Sequence, residues 1–216
     1  MKIIAINGSS RKNWNTHILL NNAIEGAQKA GAETELIHLC DLNFKGCRSC
    51  FGCKSKANPR PGHCVYGDEL KPVLDKIDEA DGLILASPIY LSEVSSAMRA
   101  FLERLIFQYS NFDGQDTYFT GTLKTAFLYT MNAPSHFYEE FFKKYEKMLG
   151  WDFDYIGTVA SGETQQHADY SQYYFSTFDE TERKERRKNI FPLDCQKAFD
   201  LGEKMARAIA GEPTKQ

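Results

Sequence analysis

Short β-branched runs alternate with helical periods along the whole of this chain, and that alternation limits its fold more than any other feature. Strand followed by helix, repeated, packs as a parallel sheet with helices on both faces. The first unit shows the pattern most clearly. The apolar run 3–6, Ile-Ile-Ala-Ile, reads as a strand buried on both sides, and Ile18, Leu19, Ala23 and Ala27 then recur at helical spacing. Between them lies Asn7-Gly8-Ser9-Ser10-Arg11-Lys12-Asn13-Trp14-Asn15-Thr16, rich in hydroxyls and amides. A strand that runs into a helix through such a loop presents unpaired N–H groups and the positive end of the helix dipole, which favour an anion. Ser9, Ser10, Asn13, Asn15 and Thr16 add uncharged donors and Arg11 a forked cation, so the loop reads as a phosphate cradle. Gly8 is the only glycine before Ile24, so neither the G-x-x-x-x-G-K-[ST] nor the G-x-G-x-x-G fingerprint is present.

Further strands are expected at 33–38, 82–87, 122–130 and 153–160, and helices at 68–80, 92–109, 136–149 and 195–210. Val94, Met98, Leu102, Leu105, Ile106 and Tyr109 form a core-facing stripe on the third helix, and Phe137, Phe141, Tyr145 and Met148 one on the fourth. Five strands in this alternation fit an α/β, flavodoxin-like, doubly wound parallel sheet of order 2-1-3-4-5, with helices on both faces. The 216 residues contain no linker, so a single domain over 1–216 is expected. Two segments exceed the minimal plan: a cysteine-bearing loop at 41–67 and an aromatic, charged insertion at 161–192.

The net charge of −3 and the absence of a basic stripe argue against a nucleic-acid partner, and the mixed run 180–188 reads as a solvated helix face. No apolar segment approaches a membrane span, so no membrane partner is expected. With no signal-peptide pattern, a cytoplasmic protein with reduced thiols is expected.

In a doubly wound sheet the ligand lies beyond the carboxyl ends of the strands, where the winding reverses. The loop after the third strand begins Ser87-Pro88-Ile89-Tyr90-Leu91, and the loop after the fourth is Met131-Asn132-Ala133-Pro134. An apolar, aromatic turn facing a phosphate loop suits a flat, ring-bearing phosphate ligand.

These motifs resemble the flavodoxin-like NAD(P)H-dependent FMN reductases, and within them the iron–sulfur flavoprotein branch. Gly8-Ser9-Ser10-Arg11-Lys12-Asn13 with Asn15-Thr16 is similar to that family's G-S-P-R-K-x-G-N-T loop, and Ser87-Pro88-Ile89-Tyr90 with Phe101-Leu102-Glu103-Arg104 to its S-P-x-Y…F-x-D-R. The resemblance implies FMN, with its phosphate on Ser9, Arg11, Asn15 and Thr16 and its ring against Pro88, Ile89, Tyr90, Leu91, Met131, Asn132 and Ala133. It implies NAD(P)H as electron donor, a small-molecule acceptor such as a quinone, nitro compound or flavin, and a homodimer or homotetramer. Ser10 stands where the family has proline and Trp14 where it has glycine; Trp14 is expected to cover the ribityl chain or a subunit contact. Tyr90 is expected at the solvent edge of the flavin.

Cys47-x2-Cys50-x2-Cys53 followed by Cys64 puts four of the six cysteines into one loop. Three at intervals of three suit a [4Fe-4S] cluster, and zinc is a further option. Ten residues separate Cys53 from Cys64, and the Pro59-x-Pro61-Gly62 turn either returns Cys64 to the others or holds it away. Cluster-free relatives also carry a C-x2-C-x2-C…G-x-C-x3-D loop, which 62–68 fits, so the alternative is a set of thiols shaping the flavin pocket. Cys40 and Cys195 are expected to be inert buried thiols, and His63 a loop residue. Tyr170, Tyr173, Tyr174, Phe175 and Phe178 of the insertion form either a lid or neighbouring-subunit wall of the pocket or a dimer contact. No nucleophilic triad or paired carboxylates stand out, so no catalytic side chain is assigned; the cofactor carries the chemistry. The functional readings are an NAD(P)H-dependent FMN oxidoreductase, an iron–sulfur flavoprotein that carries electrons between protein partners, and a phosphate-ligand module without a redox role.

Overall fold

The computed structural model describes residues 1–114 and 117–212. Its strands are β1 (Lys2–Asn7), β2 (Glu33–His38), β3 (Gly82–Tyr90), β4 (Glu93–Val94), β5 (Lys124–Thr130) and β6 (Asp154–Ser161). The helices are α1 (Asn15–Lys29), α2 (Lys71–Asp78), α3 (Ser96–Tyr109), α4 (Glu139–Leu149), α5 (Glu180–Asn189) and α6 (Phe191–Ile209). The parallel sheet runs β2-β1-β3-β5-β6, which is the expected winding, with β4 folded back antiparallel on the end of β3. Ile4 of β1 pairs with Glu35 on one side and Leu83 on the other, so β1 lies inside the sheet.

Alternation along the central strands divides the core into two layers. Ile4, Ile6, Leu83, Leu85 and Phe127 pack with Leu74, Met98, Phe101 and Tyr145 from α2, α3 and α4. The opposite residues Ile3, Ala5, Ile84, Ala86 and Leu128 pack against Leu19, Ala23, Ala198 and Met205 of α1 and α6. Those two helices cross closely. A Cβ on Gly26 would lie 2.0 Å from the Phe199 carbonyl oxygen, and one on Gly202 would lie 1.8 Å from that of Ala23. Only glycine permits this crossing.

The structure departs from the sequence expectation at several ends. The third strand continues three residues further and turns through Leu91 and Ser92, at φ 48° and 61°, into β4, so the third helix begins at Ser96 and not at 92. Ser95 caps it by accepting a hydrogen bond from the Met98 N–H. The second helix begins at Lys71, which frees Asp68 for another partner. Phe137 sits in a 3-10 turn before α4 and is 70% exposed, so it leaves the inward stripe. Cys195 is buried, but Cys40 is exposed, because the 3-10 turn Leu39–Asp41 after β2 buries Leu39 and turns its neighbour outward.

Candidate functional site

The loops leaving β1, β3 and β5 converge at the carboxyl end of the sheet around an open cleft. Ser9, Arg11, Trp14, Asn15 and Thr16 form one wall, Pro88, Ile89 and Tyr90 the second, and Thr130, Met131 and Asn132 the floor between them. Thr164 and Gln166 from the start of the 161–192 insertion close a fourth side. Ser10, Asn13, Leu91 and Ala133, although in the same loops, do not line the cleft. Ser10 and Asn13 face solvent, and Leu91 stands fully exposed at the tip of the β3–β4 turn.

The β1 loop is fixed from beneath. Ser9 donates its N–H to Asn7 Oδ1 at 2.9 Å, Gly8 donates to the Ala86 carbonyl at 2.8 Å, and the Ser95 hydroxyl donates to the Gly8 carbonyl at 2.6 Å. The Thr16 and Thr130 hydroxyls, 2.7 Å apart, join α1 to the end of β5. Helix α1 starts without a side-chain cap and without a carboxylate in its first turn. Its terminal N–H groups are therefore left for an anion.

Trp14 ties this loop to the insertion. Its indole N–H donates to the Gln165 carbonyl at 3.0 Å, which also accepts from Asn15 Nδ2 at 2.8 Å. Two guanidinium groups lie over its ring, Arg11 at 4.5 Å and Arg187 at 5.7 Å from the centroid. Arg187 also donates to Asn15 Oδ1 at 2.6 Å, and burial lowers its pKa. The run 180–188 is thus solvated on one face only: Arg183 is buried, Arg186 donates to the Gly162 carbonyl, and Arg187 reaches the cradle. Mixed charge in the sequence did not reveal that inner face.

Behind the cradle, His38 Nδ1 lies 3.0 Å from Asn7 Nδ2, and the His17 and His38 rings stack at 5.3 Å. Burial lowers the pKa of both; for His38 the charges of His17 and Lys12 add to this and Asp41 opposes it.

The four loop cysteines come together elsewhere. Cys47, Cys50, Cys53 and Cys64 line one small, partly open cavity with Tyr66, Arg104, Phe107 and Gln108, and it shares no lining residue with the cleft. The Pro59-x-Pro61-Gly62 turn does fold back, since Gly62 donates its N–H to the Cys53 carbonyl at 2.9 Å. His63 serves the loop, 3.0 Å from Asp78 and from Arg60. Arg104 crosses from α3 with its side chain 1% exposed and donates to both oxygens of Asp68 at 2.7 and 2.6 Å. Burial opposes ionisation of Asp68, but these bonds overrule it and hold the carboxyl below its ordinary pKa. Burial likewise raises the Cys53 thiol.

FMN fits the cleft on the structure's own terms: uncapped N–H donors stand opposite an apolar turn, and the buried Asn132 Oδ1 on the floor has no hydrogen-bond partner. The cysteine cavity has orphans of the opposite kind. Arg104 Nε and Gln108 Nε2 are buried donors without an acceptor within hydrogen-bond distance. Among the described residues no three His, Cys, Asp or Glu side chains are placed to hold a single ion. The void is about 20 Å³, room for a single water and not for a four-iron cluster, and residues 48–51 beside it are exposed. Among the described residues no helix is long and apolar enough to cross a membrane.

Comparison with known proteins agrees with this geometry. Residues 1–123 match the model of a family described as NADPH-dependent FMN reductase. An iron–sulfur flavoprotein of Methanocaldococcus jannaschii is 38% identical over 104 residues, which are 48% of this chain and 51% of that protein. One from Archaeoglobus fulgidus is 36% identical over 104 residues, 48% of each chain. The chain thus matches about half the length of these curated relatives. The solved structure of the NAD(P)H:quinone oxidoreductase from Methanothermobacter marburgensis superposes with a TM-score of 0.66 over 95% of this chain and 96% of that one, at 15% identity.

Proposed function

Since this chain belongs to the NADPH-dependent FMN reductase family, we propose that it is an FMN-dependent oxidoreductase that passes electrons from NAD(P)H to a small acceptor such as a quinone, a nitro compound or a flavin. The observation that carries the reading is the cleft itself, where an uncapped helix terminus and Arg11 face Pro88, Ile89 and Tyr90 across a floor of Thr130, Met131 and Asn132. FMN supplies hydride and single-electron chemistry when bound. Ser9, Arg11, Asn15 and Thr16 hold its phosphate, and Arg187 orients Asn15 for that task. Pro88 and Ile89 would give the ring an apolar wall beside the half-exposed Tyr90, and Asn132 Oδ1, which has no partner in the chain, would be free to accept a hydrogen bond from it. Thr164 and Gln166 narrow the entrance and exclude water from one side. We infer a cytoplasmic homodimer or homotetramer, for which the exposed Tyr90 and Leu91 beside the cleft offer a contact surface. Titration of flavin-free protein with FMN tests the reading: wild type binds it and is bleached by NAD(P)H, and Arg11→Ala loses about tenfold in affinity, about 1.4 kcal/mol. Protein that cannot be reconstituted with FMN overturns it.

A second reading, an iron–sulfur flavoprotein that carries electrons between protein partners, is favoured by the meeting of all four loop cysteines with two unpaired donors in one cavity. In that reading Cys47, Cys50, Cys53 and Cys64 hold a [4Fe-4S] cluster, which supplies one-electron transfer. Stoichiometric iron and sulfide in anaerobically purified protein supports it. Their absence, together with rapid NAD(P)H oxidation, leaves the reductase alone.

A further inference from the structure

We propose that Cys53 and Cys64 are a redox-active dithiol, which a small peroxide oxidises to a disulfide with Cys64 as the attacking sulfur. This dithiol is independent of the FMN reading, since the cysteine cavity shares no lining residue with the cleft, and it takes the place of the cluster in the second reading. The void that the four cysteines line has room for one water, a space that a pair of sulfurs closes and a cluster does not enter. The backbone selects the pair. Asn58 Nδ2 donates to the Gly52 carbonyl at 3.2 Å and to the His63 carbonyl at 3.3 Å, which belong to the residues just before Cys53 and Cys64. Gly62 donates its N–H to the Cys53 carbonyl at 2.9 Å, so the two stretches run side by side and both cysteines reach the cavity. Among the cysteines, Cys64 bears on the charge of Cys53 most and Cys47 less. Cys50 is exposed, between Ser49 and Phe51 at φ 51° and 53°.

The two sulfurs differ in their surroundings. Cys53 is buried, whereas Cys64 is partly exposed and accepts a hydrogen bond from Arg104, whose terminal nitrogen lies 3.5 Å from its sulfur. The Cys64 N–H donates to Gln108 Oε1 at 3.0 Å, which pins its backbone to α3. Arg104 is itself held by Asp68 and by the Tyr66 carbonyl at 3.0 Å, so its donor stays beside the sulfur. A charged donor favours the nucleophilic form of a sulfur, and a small, partly open cavity admits hydrogen peroxide before bulkier oxidants. The Cys64 sulfur attacks one peroxide oxygen: the S–O bond forms, the O–O bond breaks, the first water leaves and a sulfenic acid remains. The Cys53 sulfur then attacks that sulfur: the S–S bond forms, the S–O bond breaks and the second water leaves. Two thiols thus give two electrons and two protons to one peroxide, and two molecules of a low-molecular-weight thiol restore them by exchange.

The test treats the whole chain, loaded with FMN, with hydrogen peroxide and maps its cysteines by mass spectrometry without reduction. The expected product is a pair of peptides joined through Cys53 and Cys64, which dithiothreitol separates. It forms at least about tenfold faster than Cys40, an exposed cysteine outside the cavity, is oxidised. Cys53→Ser stops at a Cys64 sulfenic acid that dimedone captures, and Cys64→Ser yields neither product. Should either variant fail to fold, the map of the wild type decides alone. A link between any other pair, or oxidation of Cys64 no faster than that of Cys40, overturns the assignment. Stoichiometric iron and sulfide in anaerobically purified protein overturns it as well, because the same sulfurs are then ligands. Protein that forms the Cys53–Cys64 link but cannot be reconstituted with FMN overturns the reductase reading and leaves the dithiol standing.

Discussion

The cleft and the cysteine cavity lie in one chain but are built in opposite ways. The cleft hangs from three strand ends of the sheet, and its β1 loop is anchored by backbone or side-chain bonds to β1, β3 and α3. The cavity lies outside the sheet, between a long loop and one face of α3, and its buried Arg104–Asp68 ion pair stands among neutral bonds such as Cys64 N–H to Gln108 Oε1 and Gly62 N–H to the Cys53 carbonyl. A preformed site on rigid elements binds with little rearrangement, whereas a loop-built site tightens around its occupant. Stability is therefore concentrated at one pair in the second site and spread over many small bonds in the first.

The largest expected effect exploits that concentration. Asp68→Ala leaves Arg104 buried without its carboxylate, which costs about 3–5 kcal/mol in urea unfolding. No single substitution of a hydrogen-bonding residue in the cleft reaches that value if the comparison is right. Glycine substitutions give the next contrast. A Cβ on Gly8 lies 2.9 Å from Met98 Cβ and 3.1 Å from Ser95 Oγ, so Gly8→Ala forces α3 and the phosphate loop apart at about 1–3 kcal/mol. On the cavity side, Gly46→Ala meets first the half-exposed carboxylate end of Glu103, which swings away, and stability stays within about 0.5 kcal/mol. Equal costs at both glycines would show that the cysteine loop is as rigid as the cradle.

The same difference explains what the sequence reveals. The cleft is written in local strings: an apolar run, a hydroxyl-rich loop and a proline turn lie next to each other in the chain, and the parallel winding brings them together. Nine of the anticipated positions, from Ser9 to Asn132, line it. The hairpin to β4 was illegible because Leu91 and Ser92 adopt positive φ without being glycine, which pattern alone does not signal. Thr164, Gln166 and Arg187 were missed because they arrive from an insertion whose charges read as solvated. The cavity's cysteines were visible by spacing, but its organising contact joins Asp68 to Arg104 across 36 residues. Each half belongs to a separate motif, Asp68 to the cysteine loop and Arg104 to the helix after β3. Only the fold shows that the acid at the end of one and the arginine at the end of the other are partners.

A smaller effect is expected at Trp14, which stands where the related loops have glycine and which bonds to the insertion of its own chain. Trp14→Phe keeps an aromatic ring beside Arg11 and Arg187 but removes the bond to the Gln165 carbonyl. A loss of about 1 kcal/mol follows, read as a several-fold rise in the FMN dissociation constant, with no change in the iron content of the cysteine loop. A change in iron but not in FMN would mean that the two regions are coupled through the insertion.

The smallest effect concerns acid. His17 and His38 both have pKa values below the ordinary imidazole value because burial disfavours their charged forms, and His38 feels His17 and Lys12 as well, with Asp41 in opposition. The folded chain therefore binds fewer protons than the unfolded chain between the lowered values and about 6.5, and stability falls as the pH drops through that window. His38 contacts Asn7, and Asn7 holds the Ser9 N–H, so the loss acts on the phosphate loop before it reaches the cysteine cavity. FMN affinity measured from pH 7.5 to 5.5 should decline on acidification, and His17→Gln, which removes one of the two stacked rings, should flatten the decline. A profile identical in that variant would mean that the acid sensitivity arises outside the histidine pair.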